Sequence, residues 1–417
     1  MRALPKECLP MSKSIAVIGA GITGVTSAYQ LVLQGFDVTV IDQNRYPAME
    51  TSYANGGQLS ASNAEVWNSW RSVIKGIRWM LRPDAPLSIS PRPSWHKYSW
   101  MAEFLSHIPN HDKNTIETAR LAILSRDAMA EIAAVENIDY NRLDKGILHI
   151  YQSEEDLQAA RHVNTLLEQA GLERSEVAPD EMRAIEPTLT GEYVGGFYTP
   201  SDSTGDIHRF CTGLAEVCKA KGVTFRMSTT IDSLAHQGDG IRVTSEDGEA
   251  LHFDAVVICA GIKSREFAQQ LGERINVYPV KGYSITVNLT DAQSRANAPN
   301  VSLLDDKAKI VSSRLGENRF RIAGTAELSG PNRDIRDYRI RPLIKWCEHH
   351  FPAISTEEVV PWAGLRPMVP SMMPRYGKGR TPAVYFNTGH GHLGWTLSAA
   401  TSKLLAAEMA QDYRAVA

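Results

Sequence analysis

Gly19, Gly21 and Gly24 stand in the run GAGITG, directly after the apolar stretch Ser14–Ile18 and before a helical pattern through Ala28, Leu31 and Val32. Each glycine has a separate task. The first permits a tight turn, the second lets the backbone approach a pyrophosphate, and the third lets a helix pack closely on a sheet. The helix N-terminus then presents unpaired N–H groups and a positive dipole end to phosphate. Asp42 closes the run FDVTVI and is placed to accept hydrogen bonds from ribose hydroxyls. An isolated GxGxxG says little. Strand, glycine turn, helix, strand and terminal acid together predict a dinucleotide site.

NAD and FAD share that fingerprint, so the choice rests on the remainder of the chain. The buried run Phe253–Cys259 ends in Ala260 and Gly261. Near the C-terminus, a strand at Ala383–Asn387 passes through a turn containing Gly389, Gly391 and Gly394 into a helix from Trp395 to Gln411. These returns predict a long cofactor lying extended across the domain, as FAD does. No Ser-His-Asp or Cys-His arrangement is evident, and the five cysteines lack metal-ligand spacing, so no metal is expected. Cys211 and Cys218, two turns apart on a helix, read as small buried hydrophobes rather than a disulfide.

The elements that must position these residues fall into blocks. Buried parallel strands cluster in three separated stretches, while Val280–Val287 and Phe320–Ala323 read as strands with longer, more polar connections. Residues 66–135 read as mainly helical with a proline-rich interruption from Pro83 to Pro93, and Gly146–Tyr151 as a strand before a helix at Glu154–Ala170. The predicted fold is α/β (α+β overall): a discontinuous Rossmann-like FAD-binding domain with an inserted, mainly antiparallel substrate domain. The expected boundaries give the FAD domain residues 12–75, 190–270 and 360–417. The substrate domain takes 76–189 and 271–359, with 1–11 as a leader.

The composition is that of a globular protein, with 43% hydrophobic and 22% charged residues among 417. A net charge of −3 gives no global attraction to nucleic acid, and none is expected as a partner. The longest strongly apolar run, Ala255–Ile262, falls far short of the ~20 residues that span a bilayer. A cytoplasmic setting is expected.

Three further stretches carry a resemblance: ETSYANGGQLS (Glu50–Ser60), WAGLRPMVP (Trp362–Pro370) and NTGHGHLGWT (Asn387–Thr396). With PVKGYSITV (Pro279–Val287) and RFRIAGTAEL (Arg319–Leu328), the chain resembles the D-amino-acid oxidase and glycine oxidase superfamily. It is most similar to the small subunit of the bacterial D-amino-acid dehydrogenases. The resemblance implies that Arg366 pairs with the substrate carboxylate, where a guanidinium fork fits in a bidentate way. It places Gly389, Gly391 and Gly394 against the flavin pyrimidine edge, with the helix from Trp395 pointing its N-terminus there and Thr396 hydrogen-bonding. Asn55, Gly56, Gly57 and Gln58 align with the loop passing the flavin's reactive centre. Ser52 falls near the phosphates or ribityl chain, and Thr229 where a backbone contact to adenine is expected. Tyr283 is a candidate wall of the substrate pocket, against the plainer reading of a packed strand tyrosine. Tyr53 and Met368–Met373 occupy the positions where covalent relatives carry His or Cys, which implies noncovalent FAD. One departure stands out: Ser371 and Met372 replace a family Asp-Gly pair, which bears on the substrate more than on the reaction.

Such an enzyme would release hydride from Cα to flavin N5, after which the imine hydrolyses to a 2-oxo acid and ammonia. No side chain need act as base, so His390 and His392 read first as turn residues. The protein's part is positioning and electrostatics. The leading expectation is a D-amino-acid dehydrogenase that passes electrons to a quinone or other acceptor. The alternatives are an oxygen-using oxidase of glycine, N-substituted glycines or cyclic secondary amino acids, and a passive dinucleotide-binding subunit. Residues 66–100 hold five of the eight tryptophans (Trp67, Trp70, Trp79, Trp95, Trp100) and six basic residues (Arg71, Lys75, Arg78, Arg82, Arg92, Lys97) against Asp84. That mixture suits either ordinary packing or a peripheral contact with the inner face of the cytoplasmic membrane.

Overall fold

The computed structural model describes residues 12–79 and 86–414. The leader, Cys8, Arg82, Pro83 and Asp84 lie outside them. Ser14–Ile18 is a fully apolar run short enough for a strand buried on both faces, and both faces are covered. Ile15 and Val17 pack with the helices Ile22–Leu33, Ile207–Ala220 and Gly394–Arg414. Ala16 and Ile18 face a three-stranded antiparallel sheet (Ile231–Gln237, Gly240–Ser245, Ala250–Phe253) and the helix Ser264–Gln270. The strand alternation therefore feeds two cores, and the domain is a three-layer sandwich.

The central sheet has six strands in the order Arg375–Lys378, Val384–Thr388, Ala255–Ile258, Ser14–Ile18, Asp37–Ile41 and Thr224–Arg226. All pair in parallel except the edge strand Arg375–Lys378. Ile15 lies between Val38 and Ala255, so the glycine turn after Ile18 opens at the C-terminal end of the sheet. Ligands bind at that end in doubly wound folds.

The second sheet has nine strands and is mainly antiparallel, and its longest strand, Tyr278–Asn288, pairs between Arg319–Leu328 and the edge strand Val359–Met368. Helix Asp337–His350 covers its far face through Ile340, Leu343 and Trp346. Three elements cross the expected domain boundaries. Gly195–Thr199 pairs with Ile147–Tyr151, and Val359–Met368 with Tyr278–Asn288, so both strands belong to the second sheet. Helix His111–Val135, expected in the substrate domain, instead packs Met129, Ile132 and Ala133 into the core around the first helix. A buried strand's apolar pattern does not specify which sheet it joins, and that information lies in the partner's register.

Candidate functional site

One cleft is lined by residues of both sheets, and Gly19, Gly21, Asp42, Thr229, Arg366 and His392 all border it. Gly19 has φ +107°, and a Cβ there would stand 2.7 Å from the Cys259 carbonyl oxygen. Gly24 allows the helix to close on its own turn, since a Cβ would reach within 1.8 Å of the Gly19 oxygen. Gly21 differs: a Cβ would meet only Ser52 Oγ, at 3.5 Å. Its open side faces the cleft, which matches a glycine whose task is to admit a ligand. Ser52 Oγ accepts the Ile22 N–H at 3.0 Å and so holds the loop at the helix N-terminus. Asp42 accepts the Ala20 N–H at 2.7 Å through one oxygen and the Asn44 N–H at 2.8 Å through the other. Oδ1 also accepts an Asn44 Nδ2 hydrogen at 2.9 Å, which leaves Oδ2 with the lone pair for a ribose hydroxyl. Thr229 donates its N–H to Asp42 O at 2.9 Å, leaving its carbonyl as the backbone group able to meet a base.

Ala54, Asn55, Gly56 and Gln58 pass along the cleft floor. Asn55 Oδ1 accepts the Gly57 N–H at 3.0 Å, and Gly57 (φ +76°) is a turn residue that does not border the cleft. Gln58 turns its amide away, donating to Ser302 Oγ at 2.7 Å and Leu303 O at 3.1 Å. Ala260 and Gly261 border the cleft beside the first glycine turn. At the opposite wall Gly389 and Gly391 take φ +76° and +59°, and Gly394 opens the C-terminal helix. Thr396 Oγ1 accepts the Ser60 N–H at 3.3 Å. Trp395 Nε1 and His390 Nδ1 are buried with no hydrogen-bond partner among the described residues.

Those features fit an extended FAD. A glycine with open space stands at a helix N-terminus, an acid with a free lone pair borders the cleft, and the orphaned indole N–H of Trp395 lies beside a second glycine turn. The Gly394–Arg414 helix ends there, and its dipole favours negative charge at its N-terminus.

Arg366 lies flat over Gly282. A Cβ on Gly282 would come within 2.3–2.5 Å of the guanidinium nitrogens and carbon. Nη1 donates to Thr325 O at 2.9 Å, and among the described residues no carboxylate stands within ion-pair distance. Desolvation pulls its pKa down to about 10, which marks a cation removed from water without a counter-charge. Such a group is an anion site in waiting. His392, whose ring stacks on Trp67 at 4.7 Å, and fully enclosed His390 are pushed down to about 3 by burial. Both rings are neutral at pH 7. His390 Nε2 is 3.0 Å from Thr401 Oγ1, a turn-holding contact.

Tyr283 borders the cleft, but its side chain does not join this group. Val280, Gly282 and Ser284 pair with Arg366, Gly364 and Trp362 and share one face of the sheet. Tyr283 points to the other face and packs with Ile285 and Leu343. Its hydroxyl donates to buried Glu327 at 2.9 Å, and burial raises its pKa. The phenol serves the core beneath helix Asp337–His350. Gly282, Thr325 and Lys309, which the sequence reading did not single out, border or build the site instead. An isolated glycine inside the strand pattern PVKGYSITV was the available signal for Gly282.

Comparison with known proteins agrees with the geometry. The profile of the DAO family, described as FAD dependent oxidoreductase, matches residues 14–408. The chain is 57% identical over 400 residues to D-amino acid dehydrogenase 3 of Mesorhizobium japonicum, covering 95% of this chain and 97% of that protein. It is 39% identical over 403 residues to a D-amino acid dehydrogenase of Dechloromonas aromatica, covering 94% and 96%. In fold it is similar to glycine oxidase from Geobacillus kaustophilus (TM-score 0.77, 20% identity, 96% of this chain and 95% of that one). It is also similar to L-proline dehydrogenase from P. horikoshii (TM-score 0.76, 16% identity, 97% and 95%). The chain belongs to the DAO family of FAD-dependent oxidoreductases.

Proposed function

We propose that this enzyme oxidises the Cα–N bond of a D-amino acid, yielding a 2-oxo acid and ammonia, and passes the electrons to a quinone or another carrier. One observation carries the reading: the unpaired guanidinium of Arg366, desolvated in the cleft that the Gly389–Gly394 turn also borders. The names of relatives at 57% and 39% identity support the same substrate class. FAD, when bound, would supply the two-electron acceptor, and the Gly19–Gly24 turn, Asp42, Ser52 and the Gly389–Thr396 segment would hold it.

Arg366 takes the α-carboxylate, and Thr325 O fixes the guanidinium from behind. Fixing one end of the substrate leaves rotation about a single axis to aim Cα–H, which is the entropic part of the catalysis. His390 and His392 are too weakly basic to take a proton at neutral pH, so the substrate's ammonium would give its proton to solvent before the hydride leaves. The N-terminus of helix Gly394–Arg414 borders the cleft and would favour negative charge developing beside it.

For the acceptor, the surface around helix Trp70–Trp79 supports a membrane contact, though differently from a simple basic patch. Trp70, Ile74 and Ile77 are 62%, 49% and 54% exposed and recur at helical spacing on one face. Trp95 is 85% exposed nearby in sequence. The basic residues are divided. Arg71 and Lys75 both pair with Asp156 (2.9 and 2.8 Å), and Lys97 is buried on the carbonyls of Ser90 and Arg92. Trp67 and Trp100 are packing residues, the latter donating to Met368 O at 2.8 Å. A helix that pairs two of its three cations with Asp156, keeps Arg78 exposed and presents an apolar stripe suits insertion into lipid beside basic contacts. No helix of the described residues is long and apolar enough to cross a membrane.

A panel of D- and L-amino acids with an artificial electron acceptor, run beside oxygen consumption, tests this reading. Dye reduction with D-amino acids and negligible peroxide is expected. Peroxide release with glycine or N-substituted glycines as best substrates would replace the dehydrogenase by an oxidase.

A further inference from the structure

Besides Arg366, three cations border the cleft: Lys263 donates to Gln43 and Arg333 pairs with Glu50, which leaves Lys309 as the one beside the substrate end. Lys309 lies in the turn between strands Ser302–Asp305 and Ile310–Arg314 and borders the same cleft as Arg366, Asn63 and His392. Its φ is +53°, a left-handed conformation that glycine or asparagine would adopt with less strain. The fold accommodates it: Gly324 is paired with Ile310, and a Cβ on Gly324 would stand 2.8 Å from the Lys309 carbonyl oxygen. A long charged side chain at a strained turn position calls for a reason in the side chain itself. The ammonium donates to Asp306 and has no other hydrogen-bond partner among the described residues. Two of its three N–H groups are thus uncommitted. Asp306 is steadied from behind by Lys75 at 3.9 Å, so the lysine is held in place as well as charge-matched. His392 feels the positive charge of both Arg366 and Lys309, which sets the two cations around one imidazole at the substrate end.

We propose that Lys309 reads the substrate's side chain, selecting D-amino acids whose side chain ends in a carboxylate. This rests on the reading that the α-carboxylate is bound by Arg366. With that end fixed, a second carboxylate meets the free N–H groups of Lys309 and forms charge-assisted hydrogen bonds. Asp306 keeps the unliganded lysine from being an isolated charge, so neutral side chains still bind, without that added contact.

The test compares kcat/KM for D-glutamate and D-alanine with the purified, flavin-loaded enzyme and an artificial acceptor. Lys309→Met is expected to lower the D-glutamate to D-alanine ratio on the order of tenfold or more, the size of one charged hydrogen bond. Lys309→Arg should retain most of the ratio. Asp306→Asn, which relieves the lysine of its counter-charge, should raise it. Flavin content and D-alanine turnover, read on the same samples, show whether each variant is folded. An unchanged ratio in Lys309→Met, or a wild-type enzyme that oxidises D-alanine and not D-glutamate, overturns the proposal while leaving the parent reading intact. Failure of every D-amino acid to reduce the flavin overturns both.

Discussion

Gly282→Ala probes the substrate site without touching a charged residue. The backbone at Gly282 lies outside the left-handed region, so alanine is conformationally acceptable, and alanine in a strand carries a smaller entropy cost than glycine. The added methyl would nevertheless fall 2.3 Å from Arg366 Nη2, 2.4 Å from Cζ and 2.5 Å from Nη1. Ordinary carbon contacts begin near 3.4 Å, so the guanidinium must retreat by about 1 Å. It cannot do so and keep its 2.9 Å bond to Thr325 O. A displacement of about 1 Å at a positioning group costs up to ~100-fold in rate. We therefore expect kcat/KM for D-amino acids to fall roughly 10- to 100-fold. Flavin content and melting temperature should stay at wild-type values, because the glycine's neighbours are the arginine's flexible end and not the core. Steady-state kinetics with a dye acceptor, beside the visible spectrum of the same preparation, gives both readouts. Near-normal kcat/KM in a folded, yellow variant would refute the placement of Arg366 over Gly282 as the carboxylate anchor.

Other perturbations follow from the same geometry. Arg366→Ala should raise KM greatly and reduce turnover with FAD still bound, a loss of about 2–5 kcal/mol from leaving a buried carboxylate unpaired. Gly21→Val should fold and yet purify colourless, because its side chain would grow into the cleft where only Ser52 Oγ is near; a fully yellow protein after gel filtration would contradict the pyrophosphate assignment. Acid precipitation should leave the flavin in the supernatant, whereas colour in the pellet would mean a covalent link. His390, ordinary near 6.5 when unfolded and pushed down to about 3 by burial in the fold, must be neutral in the native state. Unfolded chains then bind the extra proton first, so its contribution is intact above pH 6.5 and is lost as pH falls from 6.5 towards 3. Melting temperature measured across that range should drop less steeply in His390→Gln, and an identical slope would count against the burial argument.

What was legible in the sequence was local. Gly19, Gly21, Gly24 and Asp42 belong to one strand–helix–strand unit, so their spacing along the chain is also their spacing in space. The two later returns to the central sheet were visible because each ends in a glycine turn, at Gly261 and at Gly389. The substrate end is different, since it is made where two distant strands pair. Gly282 matters because its register with Gly364 brings Arg366 across it, and no window around residue 282 contains residue 366. Tyr283, one residue on, points to the opposite face by the period of two, which only the pairing reveals. Thr325 is invisible for another reason: what it contributes is a carbonyl, turned by a backbone at φ +62°. Gly195–Thr199 and Val359–Met368 fall across the expected domain boundaries because a strand's own residues do not say which neighbour it pairs with. The inward pairing of Arg71 and Lys75 to Asp156 was hidden too, as the acid lies far along the chain on another helix.

The central claim is that this cleft holds FAD and presents it to a D-amino acid fixed by Arg366. The most direct measurement is the visible spectrum of the purified protein, taken anaerobically before and after adding D-alanine and then L-alanine to separate samples. An oxidised flavin spectrum is expected that bleaches with the D-enantiomer, stays unchanged with the L-enantiomer, and fails to bleach with either at the same concentration in Arg366→Ala. A preparation that binds no FAD on reconstitution, or a flavin that Arg366→Ala reduces as readily as wild type does, would contradict it.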